Sequence, residues 1–363
     1  MEFALSDQQK MMQESIDGAL TKACPLDRVR QAADSGEACA DDVWRMLAGL
    51  GIAGVLIPEE HGGLGLGLLE AALISEVLGK HVAPVPFVAS AVMAPLALMM
   101  TGSPAQQRRW LPKLASGEAR ASVAIAEYAS GARENAGVTA SGGKLSGKAL
   151  FAIDAASADF FIVADRDRRL HLVEANANGL SRRTLPTIDR TRSFGELVFD
   201  DVVAERLDGG DNDAAIARVC DAGRVMLAAD TLGAGWAMIG KAVAYARQRK
   251  QFGRIIASYQ AVKHLCAEMA AQLEPGRALV WYAAYALDQR PDEAPLIAAH
   301  AKSYLGEAGR FVARTATEVH GGIGITDMLG LHYWYKRIGA NRPLLGSPER
   351  MREQAARIHG FAG

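Results

Sequence analysis

Twice along this 363-residue chain the spacing of the apolar residues changes. Over residues 6–116 they recur every three to four positions. Asp41-Asp42-Val43-Trp44-Arg45-Met46-Leu47 is typical: two capping acids, then a helical apolar stripe. Between about residues 119 and 207 they come instead in short runs, at 121–125, 160–164 and 170–173. Turns such as Ser141-Gly142-Gly143 and Asn176-Ala177-Asn178-Gly179 separate these runs. Beyond the acidic, glycine-containing stretch 208–213 the helical spacing returns and persists. Neither a lone sheet nor a lone bundle fits that alternation. It predicts an α+β chain: an N-terminal helical domain over 1–118, a middle β-domain over 119–207 and a C-terminal helical bundle over 208–363.

Composition narrows the function classes. Half of the residues are hydrophobic and 22% are charged, enough to bury large cores. Lys and Arg number 40 against 41 Asp and Glu, with no basic block, which argues against a nucleic-acid binder. Cys24, Cys39, Cys220 and Cys266 stand far apart, none in a C-x-x-C pair. A zinc ribbon, a redox pair and a disulfide scaffold are disfavoured, and no metal is expected. Met1-Glu2-Phe3 opens with an acid where a secretory leader carries basic residues. The least charged stretch, 82–100, is interrupted by Pro84, Pro86 and Pro95, which a spanning helix tolerates badly. The expectation is a soluble cytoplasmic protein with no membrane span.

Four segments invite a chemical reading. Gly62-Gly63-Leu64-Gly65-Leu66-Gly67 lies between an apolar stretch and a helix, as a dinucleotide-binding turn would. Leu68, however, stands where the third glycine of that fingerprint belongs, so a flexible turn is the better reading. His320-Gly321-Gly322-Ile323-Gly324 lets backbone N–H groups approach phosphate oxygens, although a helix end has the same composition. His320 has no metal-type residue at helical spacing from it and reads as structural. In Arg247-Gln248-Arg249-Lys250-Gln251-Phe252-Gly253-Arg254 the positive charges either complement a helix C-terminus or receive a diphosphate, and composition leaves both open. Asp230 is the only ionisable side chain between residues 225 and 240, in a helix apolar around most of its circumference. It is either bonded to a neighbouring helix or a base facing a ligand cavity. No H-E-x-x-H, P-loop or G-x-S-x-G pattern occurs.

Together these segments resemble the acyl-CoA dehydrogenase family of flavoproteins over nearly the whole chain. Leu50-Gly51-Ile52-Ala53-Gly54-Val55-Leu56-Ile57-Pro58-Glu59-Glu60-His61-Gly62-Gly63 is similar to its first-domain signature. Arg249-x-Gln251-Phe252-Gly253 with Tyr259-Gln260-Ala261-Val262 resembles its flavin-contacting segment, and His320-Gly321-Gly322-x-Gly324-x-Thr326 its glycine motif. The resemblance implies an N-terminal α-helical domain, a middle β-barrel and a C-terminal four-helix bundle, assembled as a dimer or tetramer. It implies FAD as cofactor. Arg249 and Gln251 would be on the diphosphate, Phe252 beside it, Ile256 and Gln260 toward the adenosine, and Gly321, Gly322 and Gly324 toward the adenine and diphosphate, often across a subunit boundary. The implied reaction is α,β-dehydrogenation of an acyl-CoA thioester. A carboxylate takes the α-proton, hydride leaves for the flavin, and an electron-transfer flavoprotein accepts the electrons.

Against that pattern the sequence departs at the base. Where the family carries its loop glutamate before Gly346, this chain has Leu345. The family's second location for the base, beside the arginine matched by Arg224, holds Gly223; Arg224 itself is a candidate catalytic residue. The middle domain departs too, with Ala126-Glu127-Tyr128-Ala129-Ser130-Gly131-Ala132 and Leu150-Phe151-Ala152 in place of the usual flavin-facing segments. Asp230, seven residues after Gly223 and on nearly the same helix face, is the carboxylate available on this helix as a relocated base. These departures, with Leu331-His332-Tyr333-Trp334-Tyr335-Lys336-Arg337, resemble the shorter subunits of two-component acyl-CoA dehydrogenases, in which a companion chain supplies the base. A non-catalytic scaffold subunit and a flavin oxidase on the same fold are the alternatives.

Overall fold

The computed structural model describes residues 4–37, 39–131 and 135–361. Met1, Glu2 and Phe3 of the opening segment and Ala132 of the middle one lie outside them. Ser6 opens α1 (Asp7–Ala23) with a capping box, its hydroxyl accepting from the Gln9 N–H while the Gln9 side chain reaches back. α2 (Leu26–Ser35) and α3 (Asp41–Gly49) follow, and the glycine run forms the turn into α4 (Leu68–His81). The proline-containing stretch breaks as expected: a π-helical turn, Val88–Met93, runs straight into α5 (Ala94–Thr101), and α6 (Pro104–Ala115) closes the first part.

The middle part holds β1 (Ala121–Ala124), the short helix α7 (Ala126–Ser130), β2 (Gly137–Ser141) and β3 (Lys144–Ile153). Then come β4 (Phe160–Ala164), β5 (Leu170–Glu174), β6 (Leu180–Thr184), β7 (Phe194–Val203) and β8 (Glu205–Arg206). They form one curled eight-stranded sheet in the order β6-β7-β3-β1-β4-β5-β8, with β2 pairing beside β3. Only β1 and β4 run parallel among these pairs, with Val123 opposite Ile162. The turns at 141–143 and 176–179 join β2 to β3 and β5 to β6, where the sequence places them.

Asp211 caps α8 (Asn212–Gln248), accepting from the N–H groups of Asp213 and Ala214. After it come the β9 (Lys250–Gln251) and β10 (Arg254–Ile255) hairpin, α9 (Gln260–Leu273), α10 (Pro275–Gln289), α11 (Ala294–His320), α12 (Leu331–Asn341) and α13 (Pro348–Ile358). Between Val225 and Gly235, where α8 is apolar around most of its circumference, every residue is buried. Glycines let its neighbours touch its backbone. A Cβ on Gly79 of α4 would lie 2.0 Å from the Asp230 carbonyl oxygen, and one on Gly233 would lie 1.8 Å from that of Glu76. α8 therefore carries one continuous core through both helical parts, to which the inner face of the sheet adds Val123, Ile153 and Phe160. No helix among the described residues is long and apolar enough to cross a membrane.

Candidate active site

An apolar cavity of about 270 Å³ opens between the sheet and α12. Ala126 at the start of α7, Phe151 on β3, Ile188, Ala340 on α12, Leu344 and Leu345 line it. The segments in which the sequence departs from the pattern it resembles thus converge on one space. Its described lining includes no ionisable side chain, and its only side-chain hydroxyl is that of Thr187. Glu127, next to Ala126, points away from this lining, its carboxylate accepting from the Leu150 N–H at 3.0 Å.

Both positions that the resemblance assigns to the base meet at one edge of this cavity. A Cβ on Gly223 would lie 2.6 Å from Leu345 Cδ1 and 2.9 Å from Met93 Sδ, so those two side chains already fill the space beside it. Leu345 is 2% exposed and sits at φ 57, a left-handed conformation that a leucine rarely takes. Two buried cations hold it there through backbone carbonyls. Arg224 Nε donates to the Leu345 carbonyl at 2.9 Å, while its Nη1 donates to Asp221 at 2.7 Å. Lys302, from α11, donates to the carbonyls of Asn341, Arg342 and Gly346 at 2.9, 2.8 and 3.1 Å. Burial, with the positive charges of Arg224 and Arg342, pushes the Lys302 amine down to about 7. Arg224 therefore shapes the loop; its guanidinium is spent on protein groups.

The reading of Asp230 as a base facing a cavity is corrected by its surroundings. It is 1% exposed, is absent from the lining of this cavity, and has both carboxylate oxygens occupied. Arg192 Nη2 donates to it at 2.9 Å, Arg337 Nε at 3.2 Å and the Asn341 amide at 2.7 Å. Arg337 also donates to the Thr191 carbonyl at 3.0 Å and hydroxyl at 2.8 Å, and to the Ala83 carbonyl at 2.9 Å. One cluster thus ties α8 and α12 to the middle part and to the turn after α4. Burial alone would raise the Asp230 pKa, but Arg192 and Arg337 outweigh it and hold the carboxyl below its ordinary range. A carboxylate so stabilised is a poor proton acceptor.

The remaining predicted residues gather at one end of the bundle. Arg249 ends α8, and Phe252 and Gly253, both at positive φ, make the β9–β10 turn with the phenyl ring 93% exposed. The Ile256 N–H donates to the Arg249 carbonyl at 2.8 Å, and the Tyr259 hydroxyl to that of Gln251 at 3.1 Å. Gln260 begins α9 and is exposed. Among the described residues the Arg249 guanidinium has no ion-pair partner. One turn before it, Tyr245 stacks on His320 with ring centroids 4.8 Å apart, which brings the arginine end and the glycine corner together. His320 is structural: its Nδ1 donates to the Ala316 carbonyl at 2.7 Å, and burial lowers its pKa. Gly321, at φ 63, and Gly322 present open backbone with nothing within 4 Å of an added Cβ. Gly324 is different, since its Cβ would meet His320 Cβ and the Thr317 carbonyl at 2.8 Å; it is a packing glycine. The Gly321 N–H is taken by the Glu318 carbonyl, so what this end of the bundle offers a diphosphate is an unpaired guanidinium and, at Gly321 and Gly322, backbone that a ligand can approach closely; these residues fit an FAD phosphate from one side.

Sequence reasoning missed Lys302, Asn341 and the segment Asp189-Arg190-Thr191-Arg192. A lone lysine in an apolar helix stretch, and a polar run just before a β-strand, were the available signals.

Family models described as acyl-CoA dehydrogenase, N-terminal domain, and acyl-CoA dehydrogenase, C-terminal domain, match residues 6–118 and 213–359. The chain is 28% identical over 355 residues to acyl-CoA dehydrogenase IpdE2 of Mycolicibacterium smegmatis, covering 98% of each. It is 30% identical over 298 residues to an acyl-CoA dehydrogenase of Bacillus subtilis, covering 76% of this chain and 78% of that one. Among solved structures, the ChsE4-ChsE5 complex from Mycobacterium tuberculosis superposes with a TM-score of 0.91 at 26% identity, over 100% of both chains.

Proposed function

Because the chain belongs to the acyl-CoA dehydrogenase family, we propose that it is the base-lacking subunit of a two-component, FAD-dependent acyl-CoA dehydrogenase. Its companion chain carries the carboxylate that removes the α-proton. The observation that supports this reading is the Leu345 side chain lying against Gly223. Neither position offers a proton acceptor, and the cavity beside them has no ionisable lining among the described residues.

What the chain contributes is flavin binding. Arg249 supplies a charged fork, and Gly321 and Gly322 supply backbone open to close approach, for the diphosphate of FAD. Gln251, Phe252, Ile256 and Gln260 complete that face, and Phe252, exposed in the single chain, is covered when a second chain docks. Bound FAD would supply the hydride acceptor for the acyl thioester. Ala126, Phe151 and Ala340 form the apolar walls against which the reacting groups are kept dry. The likeness to a complex of two named chains, ChsE4 and ChsE5, supports a hetero-oligomer. An electron-transfer flavoprotein is the natural acceptor.

Visible spectra recorded for the chain alone and after co-expression with a companion test the assignment. A flavin-containing hetero-oligomer that turns over acyl-CoA with an artificial electron acceptor is expected. Hydrogen peroxide released without any acceptor would point instead to an oxidase. A complex whose flavin and activity both survive Arg249→Ala and Gly321→Ala would leave this chain a scaffold only.

A further inference from the structure

Behind the cavity wall the cluster around Asp230 is out of charge balance. Asp154, Asp189 and Asp230 are 4%, 2% and 1% exposed, and the guanidiniums of Arg192 and Arg337 are the cations that face them. Asp230 takes both. Asp189 gives Oδ1 to the Thr191 N–H at 2.9 Å and hydroxyl at 2.6 Å. Its Oδ2 has no hydrogen-bond partner among the described residues, and the nearest cation, Arg337 Nη1, is 4.0 Å away. Asp154 stands just after β3 at φ 57. Its N–H donates to the Ser193 carbonyl at 2.8 Å, and its carboxyl lies near the Ala89 backbone N–H of the π-helical turn. On the remaining side is Cys39, whose thiol burial pushes up to about 12, so it stays neutral.

Three ionised carboxyls against two guanidiniums would leave a negative charge uncompensated among side chains no more than 7% exposed, which is costly enough that one carboxyl keeps its proton. Asp154 is the one without a guanidinium in contact. Burial pushes its carboxyl up to about 6, against the partial opposition of Arg192 and Arg337. The cluster and the cavity wall share backbone: Phe151 precedes Asp154 by three residues, Thr187 and Ile188 adjoin Asp189, and Gly339 and Ala340 lie between Arg337 and Asn341.

We propose that Asp154 is the proton-bearing member of this cluster and a pH-dependent positioning residue for the cavity. Protonated, it sits in the cluster without charge; ionised, it adds a third negative charge against two guanidiniums and loosens the junction of the three parts. A carboxyl that binds its proton more tightly folded than unfolded favours the folded state in acid. That contribution falls as pH rises from about 4 to about 6. A proton held that much more tightly changes the folding constant by roughly a hundredfold.

Urea unfolding of wild type and Asp154→Asn between pH 4 and 8 tests this. The ratio of variant to wild-type folding constants is expected to climb by up to roughly a hundredfold across that interval. A ratio independent of pH overturns the proposal. Asp189→Asn leaves two carboxyls facing two guanidiniums and should move the same transition to lower pH; a transition that stays in place also overturns it. Should Asp154→Asn not fold, wild-type hydrogen exchange decides. Amides at 151–154 and 187–193, corrected for intrinsic rates, should lose protection above the transition, and protection flat with pH refutes the role.

Discussion

Leu345 lies over Gly223 so closely that a single added carbon on the glycine would come within 2.6 Å of the leucine's Cδ1. Two positions 122 residues apart in the chain therefore compete for one volume. Gly223→Ala is expected to destabilise the fold by about 1–3 kcal/mol, as overpacking does. In a Leu345→Ala background that cost should shrink. Urea unfolding of the two single variants and the double variant gives the coupling directly. Strictly additive costs would mean that the two side chains do not share the space.

Asp230→Asn separates a structural acid from a catalytic one. Removing this charge leaves Arg192 and Arg337 buried without their common partner, a loss of about 3–5 kcal/mol for a broken buried pair. Thermal and urea unfolding should both register it, with flavin lost as the cleft loosens. A variant with wild-type stability and lowered turnover would return Asp230 to the chemistry.

Lys302 sets a second pH dependence, opposite in direction to that of Asp154. Its amine is pushed down to about 7 from an ordinary 10.5, so between those values the unfolded chain holds a proton that the folded chain does not. The contribution of Lys302 to stability is therefore lowest below pH 7 and rises with pH above it. Lys302→Met should abolish that rise, as read from the difference between wild type and variant at pH 6.5 and pH 9. Parallel pH profiles would show that Lys302 does not titrate in the folded chain.

In the proposed assignment Arg249 and Gly321 hold the cofactor. Arg249 is exposed and without an ion-pair partner among the described residues, so Arg249→Ala should leave the thermal midpoint of the flavin-free chain unchanged while FAD is lost on gel filtration. Gly321→Ala forces a side chain onto a backbone at φ 63 and ψ −148, and should weaken FAD in the same assay. Full flavin occupancy in both variants would remove the diphosphate assignment.

The helical, strand and helical order could be read from the sequence because each element advertises its own period, and the middle of α8 announced its burial by being apolar around most of its circumference. Arg249 and the glycine corner were legible as contiguous runs. The role of Asp230 was not. Whether a buried acid faces a cavity or an arginine depends on Arg192 and Arg337, 38 and 107 residues away, and no local pattern encodes that meeting. Lys302 was hidden for the same reason: its acceptors are backbone carbonyls 39 to 44 residues further on, and a carbonyl has no sequence signature. The different duties of Gly321 and Gly324 were equally invisible, because one glycine opens onto space and the other onto a neighbouring turn.

The sharpest test of a chain without its own proton acceptor is an anaerobic titration. The FAD-loaded chain, free of any companion, is mixed with a panel of straight-chain and branched acyl-CoAs while the flavin absorbance is followed. The oxidised spectrum should persist with every thioester, and bleaching should begin only when the companion chain is added. Flavin that bleaches in the lone chain would mean that a base exists within it, and the assignment of a base-lacking subunit would be wrong.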